Sequence, residues 1–197
     1  MLSRMTQQQV KRLRKIKCLA FDVDGVLTDG GVYFGGLPNG AAVANNSTAS
    51  DTRSDWCRVF NIRDGMGIVL LHESGYKTAF ITLSRATDIR LRAENLKVHY
   101  FFDFARDKAA CFDNLLERSG FLAEEVAFIG DDVIDLPVFA KCGLSAAPAD
   151  AHPEALKKAH LVMKSKGGHG AARELCDLVL RHGAFASSKN GRRSAHK

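Results

Sequence analysis

Short apolar runs of the kind that form buried β-strands alternate with amphipathic, helix-like segments along most of this 197-residue chain. The expected strands cover residues 18–22, 78–82, 98–102 and 126–129, with two shorter ones near 144 and 161. The expected helices cover residues 6–16, 65–74, 87–96, 108–119, 135–141 and 169–182. This alternation predicts an α/β fold: a single-domain, Rossmann-like parallel sheet with helices on both faces.

Acidic residues directly follow two of the expected strands. Asp22 and Asp24 come after the run 18–21, and residues two apart in an extended chain project to the same side. Asp131 and Asp132 follow the run 126–129 in the same way. Because ligand sites of parallel sheets lie beyond the carboxyl ends of the strands, we expect both clusters to meet there. A few carboxylates with several waters suit Mg²⁺, so the pattern predicts a magnesium-dependent phosphoryl-transfer centre.

The pattern Asp-x-Asp-Gly also occurs in calcium-binding loops and in ordinary acidic turns. A calcium-binding EF-hand loop that began at Asp22 would need a glutamate at its twelfth position, where this chain has Tyr33. Two further groups favour phosphoryl transfer: Thr82 ends a strand, and Lys108 begins a helix. Such residues usually serve as a helix cap and a solvated surface charge, but their order relative to both acidic clusters favours a functional interpretation.

An ordered series of motifs runs through most of the chain: Asp22–Gly30, Phe60–Ile68, Lys108, Gly130–Asp135, Pro148–Pro153 and Gly167–Glu174. From about residue 17 to residue 182 the chain thereby resembles the haloacid dehalogenase superfamily of aspartyl phosphatases. Within that superfamily it is most similar to the small-capped branch of 3-deoxy-D-manno-octulosonate 8-phosphate phosphatases.

The resemblance implies a role for each matching residue. Asp22 is the expected nucleophile, and Asp24 the acid that protonates the leaving oxygen and then activates water. Thr82 and Lys108 are expected to hold the phosphoryl group. Magnesium is expected on the Asp22 carboxylate, the Asp24 backbone carbonyl and Asp131. The positions where the branch contacts its sugar acid are Asn61, Arg63, Asp64, Gly65, Ser84 and Arg92.

Four positions depart from the branch pattern. The branch usually has Thr-Gly-Arg where this chain has Thr82, Leu83 and Ser84, and often has arginine at the positions of Val69 and His169. Two substrate-facing cations are therefore expected to be missing, at Ser84 and Val69. The segments 84–86 and 144–151 also resemble the phosphatase-like domain of acylneuraminate cytidylyltransferases.

The expected function is magnesium-dependent hydrolysis of a phosphorylated 3-deoxy-2-ulosonic acid, above all 3-deoxy-D-manno-octulosonate 8-phosphate, in envelope polysaccharide synthesis. One alternative is a phosphatase of a nine-carbon sugar acid 9-phosphate. Another is a catalytically idle scaffold of the same fold. The scaffold is disfavoured because the whole catalytic set is present, namely Asp22, Asp24, Thr82, Lys108 and Asp131.

The expected organisation is a basic N-terminal helix over residues 1–16, a phosphatase domain over 17–185 and a flexible basic tail over 186–197. Within the domain, residues 31–59 are expected to form a small β-hairpin flap that serves as the cap. Such a flap is too small to close the site alone. Members of the branch close it by tetramerising, so the resemblance implies a homotetramer in which a neighbour completes the active site.

Charge and cysteine content exclude several classes of protein. Ten of the 28 lysines and arginines lie in residues 1–17 and 187–197, which leaves an acidic body, so we expect no nucleic-acid partner. No apolar run approaches the roughly 20 residues needed to span a bilayer, and no secretion signal is evident, so no membrane partner is expected. The five cysteines are odd in number and widely spaced, which indicates reduced thiols and a cytoplasmic protein.

Overall fold

A computed structural model describes residues 5–34 and 56–185 of the chain. The strands are β1 Cys18–Phe21, β2 Tyr33–Phe34, β3 Trp56–Cys57, β4 Lys77–Ile81, β5 Tyr100–Phe102, β6 Val126–Ile129, β7 Leu144–Ala147 and β8 Leu161–Val162. The helices are α1 Gln7–Leu13, α2 Ile62–Glu73, α3 Thr87–Asn95, α4 Lys108–Ser119, α5 Leu136–Phe139, α6 Pro153–Lys158 and α7 Ala171–His182. Six strands form one parallel sheet in the order β5-β4-β1-β6-β7-β8, which confirms the expected fold class.

Strand β1 lies at the centre of the sheet, between β4 and β6, and all four of its residues are buried. Its side chains alternate between two cores. Leu19 and Phe21 belong to the core beneath α2 and α7, whereas Ala20 belongs to the core beneath α4 and α5. An uninterrupted apolar run is what a strand covered on both faces requires.

Some helix boundaries differ from the expected ones because capping decides them. Helix α2 begins at Ile62, three residues early, because the Asn61 side chain accepts a hydrogen bond from the Arg63 amide. Helix α1 ends at Leu13, after which tight turns carry the chain to the buried Ile16. The expected helix 135–141 is a 3₁₀ turn over Val133–Asp135 followed by α5.

The two legs of the expected flap pair as antiparallel strands, with β2 beside β3 and Tyr33 opposite Cys57. The middle of the flap, residues 35–55, lies outside the described residues, as do residues 1–4 and the expected tail 186–197. Within residues 5–34 and 56–185 no helix is both long enough and apolar enough to cross a membrane.

Candidate active site

A cavity of about 290 Å³ opens at the carboxyl ends of β1, β4 and β6. Strand order explains its position, because β1 is hydrogen-bonded to both of the other strands and all three end at the same edge. The residues that line it are Asp22, Asp24, Gly25, Asp29, Gly30, Thr82, Leu83, Lys108, Asp131, Asp132, Ile134 and Asp150. Both acidic clusters therefore open onto one cavity, together with the expected hydroxyl and ammonium.

Asp22 follows the last residue of β1 and is 4% exposed. Its Oδ1 accepts a hydrogen bond from the Val23 amide at 2.7 Å, and its Oδ2 lies 2.8 Å from Nζ of Lys108. The turn beyond it depends on Gly25, which has a φ of +80°. A Cβ at Gly25 would lie 2.1 Å from Oδ2 of Asp131, so only glycine lets that carboxylate approach β1.

Asp135 is a fully buried carboxylate that was not among the expected site residues. Its Oδ1 lies 2.7 Å from Nζ of Lys108, and its Oδ2 accepts hydrogen bonds from the amides of Asp131 and Asp132 at 2.9 and 3.1 Å. Asp135 thus fixes both the loop after β6 and the ammonium of Lys108. Its place three residues after the second acidic pair was the available sequence signal.

Within the described residues, oxygens of Asp22, Asp131 and Asp135 lie within 4.8 Å of one another, and the ammonium of Lys108 pairs with Asp22 and Asp135. Burial disfavours that ammonium, but the carboxylates of Asp22 and Asp135 outweigh burial and raise the pKa of Lys108. Burial also raises the pKa of Asp22, and it raises the pKa of Asp131 to about 6, with Asp135 adding to both shifts. In the part of the chain that the structure describes, the cluster therefore brings three carboxyl groups together with the ammonium of Lys108, so its acidic groups outnumber its basic group.

The excess of negative charge bears on whether the cluster fits a metal ion. Its donors are all carboxylate oxygens, which are the ligands that Mg²⁺ prefers, and a divalent cation would supply the missing charge. The residues present therefore fit the expected ion.

Thr82 follows β4 and is fully buried. Its Oγ1 accepts a hydrogen bond from the Ser84 amide at 3.2 Å, so the hydroxyl is held at the base of the cavity that Lys108 also lines.

Asp24 is paired with an arginine that the sequence interpretation missed. Arg58 leaves β3 at the foot of the flap, and its Nε donates to Oδ1 of Asp24 at 2.5 Å. The Arg58 side chain is only 7% exposed and also contacts Asp88 in the first turn of α3. The pairing joins residues 34 apart, which no local pattern reveals.

The same arginine changes the interpretation of Ser84. Nη2 of Arg58 donates to Oγ of Ser84 at 3.2 Å. The sequence predicted that a cation is missing at Ser84. A guanidinium nevertheless lies beside Ser84, and it belongs to Arg58 at the foot of the flap, not to the segment after β4.

Asn61 and Asp64, expected at the substrate, connect α2 to the segment before α7. The Asn61 side-chain amide donates to the Gly168 carbonyl at 3.1 Å. Asp64 is buried and accepts hydrogen bonds from the amides of Gly170 and Arg173 at 3.3 and 2.7 Å. Burial raises the pKa of Asp64, and those two hydrogen bonds oppose the shift.

Gly65 and Arg92 connect α2 to α3, whereas Arg63 is exposed. Nη2 of Arg92 donates to the Asn61 carbonyl at 3.3 Å. A Cβ at Gly65 would lie 2.3 Å from the same Nη2, so glycine leaves room for the guanidinium. Arg63 borders a second cavity, of about 420 Å³, along α7. Within the described residues, none of Asn61, Arg63, Asp64, Gly65 and Arg92 lines the acidic cavity.

Comparison with known proteins adds an independent observation. The family described as haloacid dehalogenase-like hydrolase matches residues 101–175. A 3-deoxy-D-manno-octulosonate 8-phosphate phosphatase from Yersinia pestis is 41% identical over 171 residues, which are 87% of this chain and 83% of that protein. The crystal structure of such a phosphatase from Yersinia pestis superposes with a TM-score of 0.77 at 40% identity and covers 88% of this chain and 85% of that one.

The cobalt-bound form of the deoxy-D-mannose-octulosonate 8-phosphate phosphatase from Haemophilus influenzae superposes with a TM-score of 0.75 at 32% identity. It covers 93% of this chain and 96% of its own. The similarity thus extends over most of the chain.

Proposed function

The chain belongs to the haloacid dehalogenase-like hydrolases and, within them, to the 3-deoxy-D-manno-octulosonate 8-phosphate phosphatases, and we propose that it hydrolyses this sugar-acid phosphate with Mg²⁺. The observation that carries the proposal is the cluster of Asp22, Asp131 and Asp135 around Lys108 at the strand ends. A buried carboxylate beside a cation, next to a metal-compatible set of oxygens, suits a nucleophile for a phosphate monoester.

In the proposed reaction, an oxygen of Asp22 attacks phosphorus and the bond from phosphorus to the sugar oxygen breaks. Asp24 gives its proton to that departing oxygen, so the sugar leaves as an alcohol and Asp22 carries the phosphoryl group. Asp24, now a carboxylate, takes a proton from water as the water attacks phosphorus. Inorganic phosphate leaves, and Asp22 and the protonated Asp24 are restored.

Like charges oppose the first step, because an anionic carboxylate approaches an anionic phosphate. Lys108 and the Thr82 hydroxyl both face the cavity, and there they bind phosphoryl oxygens and offset part of that repulsion. A magnesium ion held by Asp22, Asp131 and the Asp24 backbone carbonyl would neutralise the phosphoryl oxygens further. The relative from Haemophilus influenzae is described as cobalt-bound, which supports a divalent ion as the cofactor of this chain.

We propose that the chain acts as a homotetramer. Within the described residues, Asn61, Arg63 and Arg92 do not line the cavity, which supports completion of the sugar site by a neighbour. A cytoplasmic location is part of the proposal, because all five cysteines are free thiols. The limits 17–185 for the catalytic domain are also proposed.

The test measures phosphate release from 3-deoxy-D-manno-octulosonate 8-phosphate in the presence of Mg²⁺. Asp22→Asn should reduce turnover below about 1% of the parent, because the amide cannot act as the nucleophile. The matched control is Asp113→Asn, an exposed aspartate on α4 that pairs with Lys141 and should leave turnover intact.

A panel of substrates decides the sugar. Faster turnover of a nine-carbon sugar acid 9-phosphate would replace the eight-carbon assignment. This comparison matters because the chain has Ser84 where the eight-carbon branch usually has arginine. Full turnover by Asp22→Asn would contradict the mechanism, and a parent inactive on every phosphate monoester would indicate the scaffold.

A further inference from the structure

Arg58 occupies an unusual position for a surface-loop arginine. It lies at the foot of the flap directly after β3, yet its side chain is 7% exposed and faces Asp24. Burying a guanidinium requires nearby negative charge, and two carboxylates provide it: Asp24 on one side and Asp88 on the other.

The contacts of Arg58 fix the plane of the Asp24 carboxylate. Nε lies 2.5 Å from Oδ1 of Asp24 and Nη2 lies 3.5 Å from Oδ2, so both oxygens face the fork of the guanidinium. Planar forks of this kind impose orientation as well as charge, which a lysine ammonium does not. Within the described residues, the Asp24 carboxylate accepts these two hydrogen bonds, and both come from Arg58.

Asp88 holds the arginine from the far side. It accepts the Arg58 amide at 3.0 Å and lies 3.3 Å from Nη1, and its own Oδ1 accepts the Ile89 amide at 2.8 Å. Helix α3 thus anchors Asp88, Asp88 anchors Arg58, and Arg58 orients Asp24. The hydroxyl of Ser84 takes the remaining contact of Nη2 at 3.2 Å.

We propose that Arg58, held by Asp88, is the positioning residue for Asp24 in the phosphatase reaction. Asp24 is 38% exposed by its side chain and follows a turn, so without Arg58 its carboxyl would rotate freely. Proton transfer requires a fixed distance and direction to the leaving oxygen, and loss of that geometry slows the step. This inference rests on the proposed function.

The test compares kcat/KM for three phosphate esters with saturating Mg²⁺: octulosonate 8-phosphate, arabinose 5-phosphate and p-nitrophenyl phosphate. The first two have poor alcohol leaving groups that need a proton, whereas p-nitrophenolate departs without one. The parameter kcat/KM reports only the steps up to departure of the leaving group, so the later hydrolysis of the phosphoryl-enzyme does not mask the difference.

Arg58→Ala should lower kcat/KM for both alkyl phosphates by about 10- to 100-fold and lower that for p-nitrophenyl phosphate by much less. Arg58→Lys should recover only part of the loss, because it restores charge without the fork. Asp88→Asn should shift the same ratio in the same direction by a smaller factor. Arg90→Ala is the matched control, since Arg90 is likewise paired with a carboxylate, that of Asp103, but lies on α3 and does not line the cavity.

Three results would overturn the inference. An equal loss on all three esters would mean a purely structural role for the arginine. A loss confined to KM for octulosonate 8-phosphate would mean that Arg58 binds the sugar carboxylate. Unchanged kinetics would mean that it does neither.

If Arg58→Ala does not fold, Arg58→Lys and Asp88→Asn decide by the same ratio. A parent that hydrolyses none of the three esters would instead overturn the proposed function.

Discussion

At the scale of single residues, the balance of charge around Lys108 governs both stability and metal binding. Lys108→Met removes the ammonium that pairs with Asp22 and Asp135 and leaves the carboxylates of Asp22, Asp131 and Asp135 to repel one another. Without Mg²⁺, we expect the free energy of unfolding to fall by about 3 kcal/mol. Added Mg²⁺ should raise the melting temperature more in this variant than in the parent, because the competing cation is gone.

Thermal unfolding with chelator and with Mg²⁺ measures both effects. Lys141→Met is the control, since it breaks an exposed ion pair with Asp113 that should contribute less than about 1 kcal/mol. A magnesium response that is unchanged by Lys108→Met would place the ion away from this cluster.

His72 makes stability depend on pH. Burial, with His99 and Lys77 nearby, lowers the pKa of His72 from 6.5 to about 4, and its Nε2 lies 2.7 Å from Oγ1 of Thr78. Between about pH 6.5 and pH 4 the unfolded chain therefore binds the extra proton, so the stability contributed by His72 falls as pH falls through that window.

His72→Gln should flatten that decline in urea unfolding. Equal acid sensitivity in the parent and in His72→Gln would contradict the assignment.

At the scale of elements, the buried carboxylate of Asp64 attaches α2 to α7. Asp64 in the first turn of α2 accepts two amides at the start of α7, those of Gly170 and Arg173. Asp64→Ala leaves both amides without their acceptor, and we expect a loss of about 2 to 3 kcal/mol in the free energy of unfolding with no substrate present.

Denaturant unfolding measures that loss. Asp113→Ala, at an exposed carboxylate, provides the comparison. If Asp64→Ala keeps the stability of the parent and raises only the KM, Asp64 acts on the substrate instead of on α7.

At the scale of the whole molecule, two large apolar side chains at the start of α2 are exposed. Ile62 and Met66 lie one turn apart on α2 and are 81% and 48% exposed. Since large apolar side chains in contact with water favour association, we expect the proposed tetramer to bury them. Replacing both residues by glutamate should give smaller species in analytical ultracentrifugation and lower activity.

Leu122→Glu is the matched control for that double variant. Leu122 is 62% exposed, but it precedes β6 at the opposite end of the sheet. A monomeric parent would refute the tetramer, and an unchanged oligomer in the double variant would exclude this surface.

The sheet and the position of the cavity at its carboxyl edge could both be predicted, because they follow from local sequence patterns. Short apolar runs that alternate with helical segments favour buried strands, and parallel strands present their carboxyl ends at one edge of the sheet. The residues expected at the cavity each follow such a run or begin a helix, so the sequence could predict that they meet at this edge. They are Asp22, Asp24, Thr82, Lys108 and Asp131.

The tertiary structure alone decided the partners of those residues. Arg58 reaches Asp24 across 34 residues, Asp135 holds Lys108 across 27, and Asp64 contacts Arg173 across 109. Each contact joins elements whose separation in space depends on how helices and flap pack on the sheet. Periodicity reports which face of an element is buried, but it carries no information about which distant charge lies opposite, and that is fixed only when the whole chain folds.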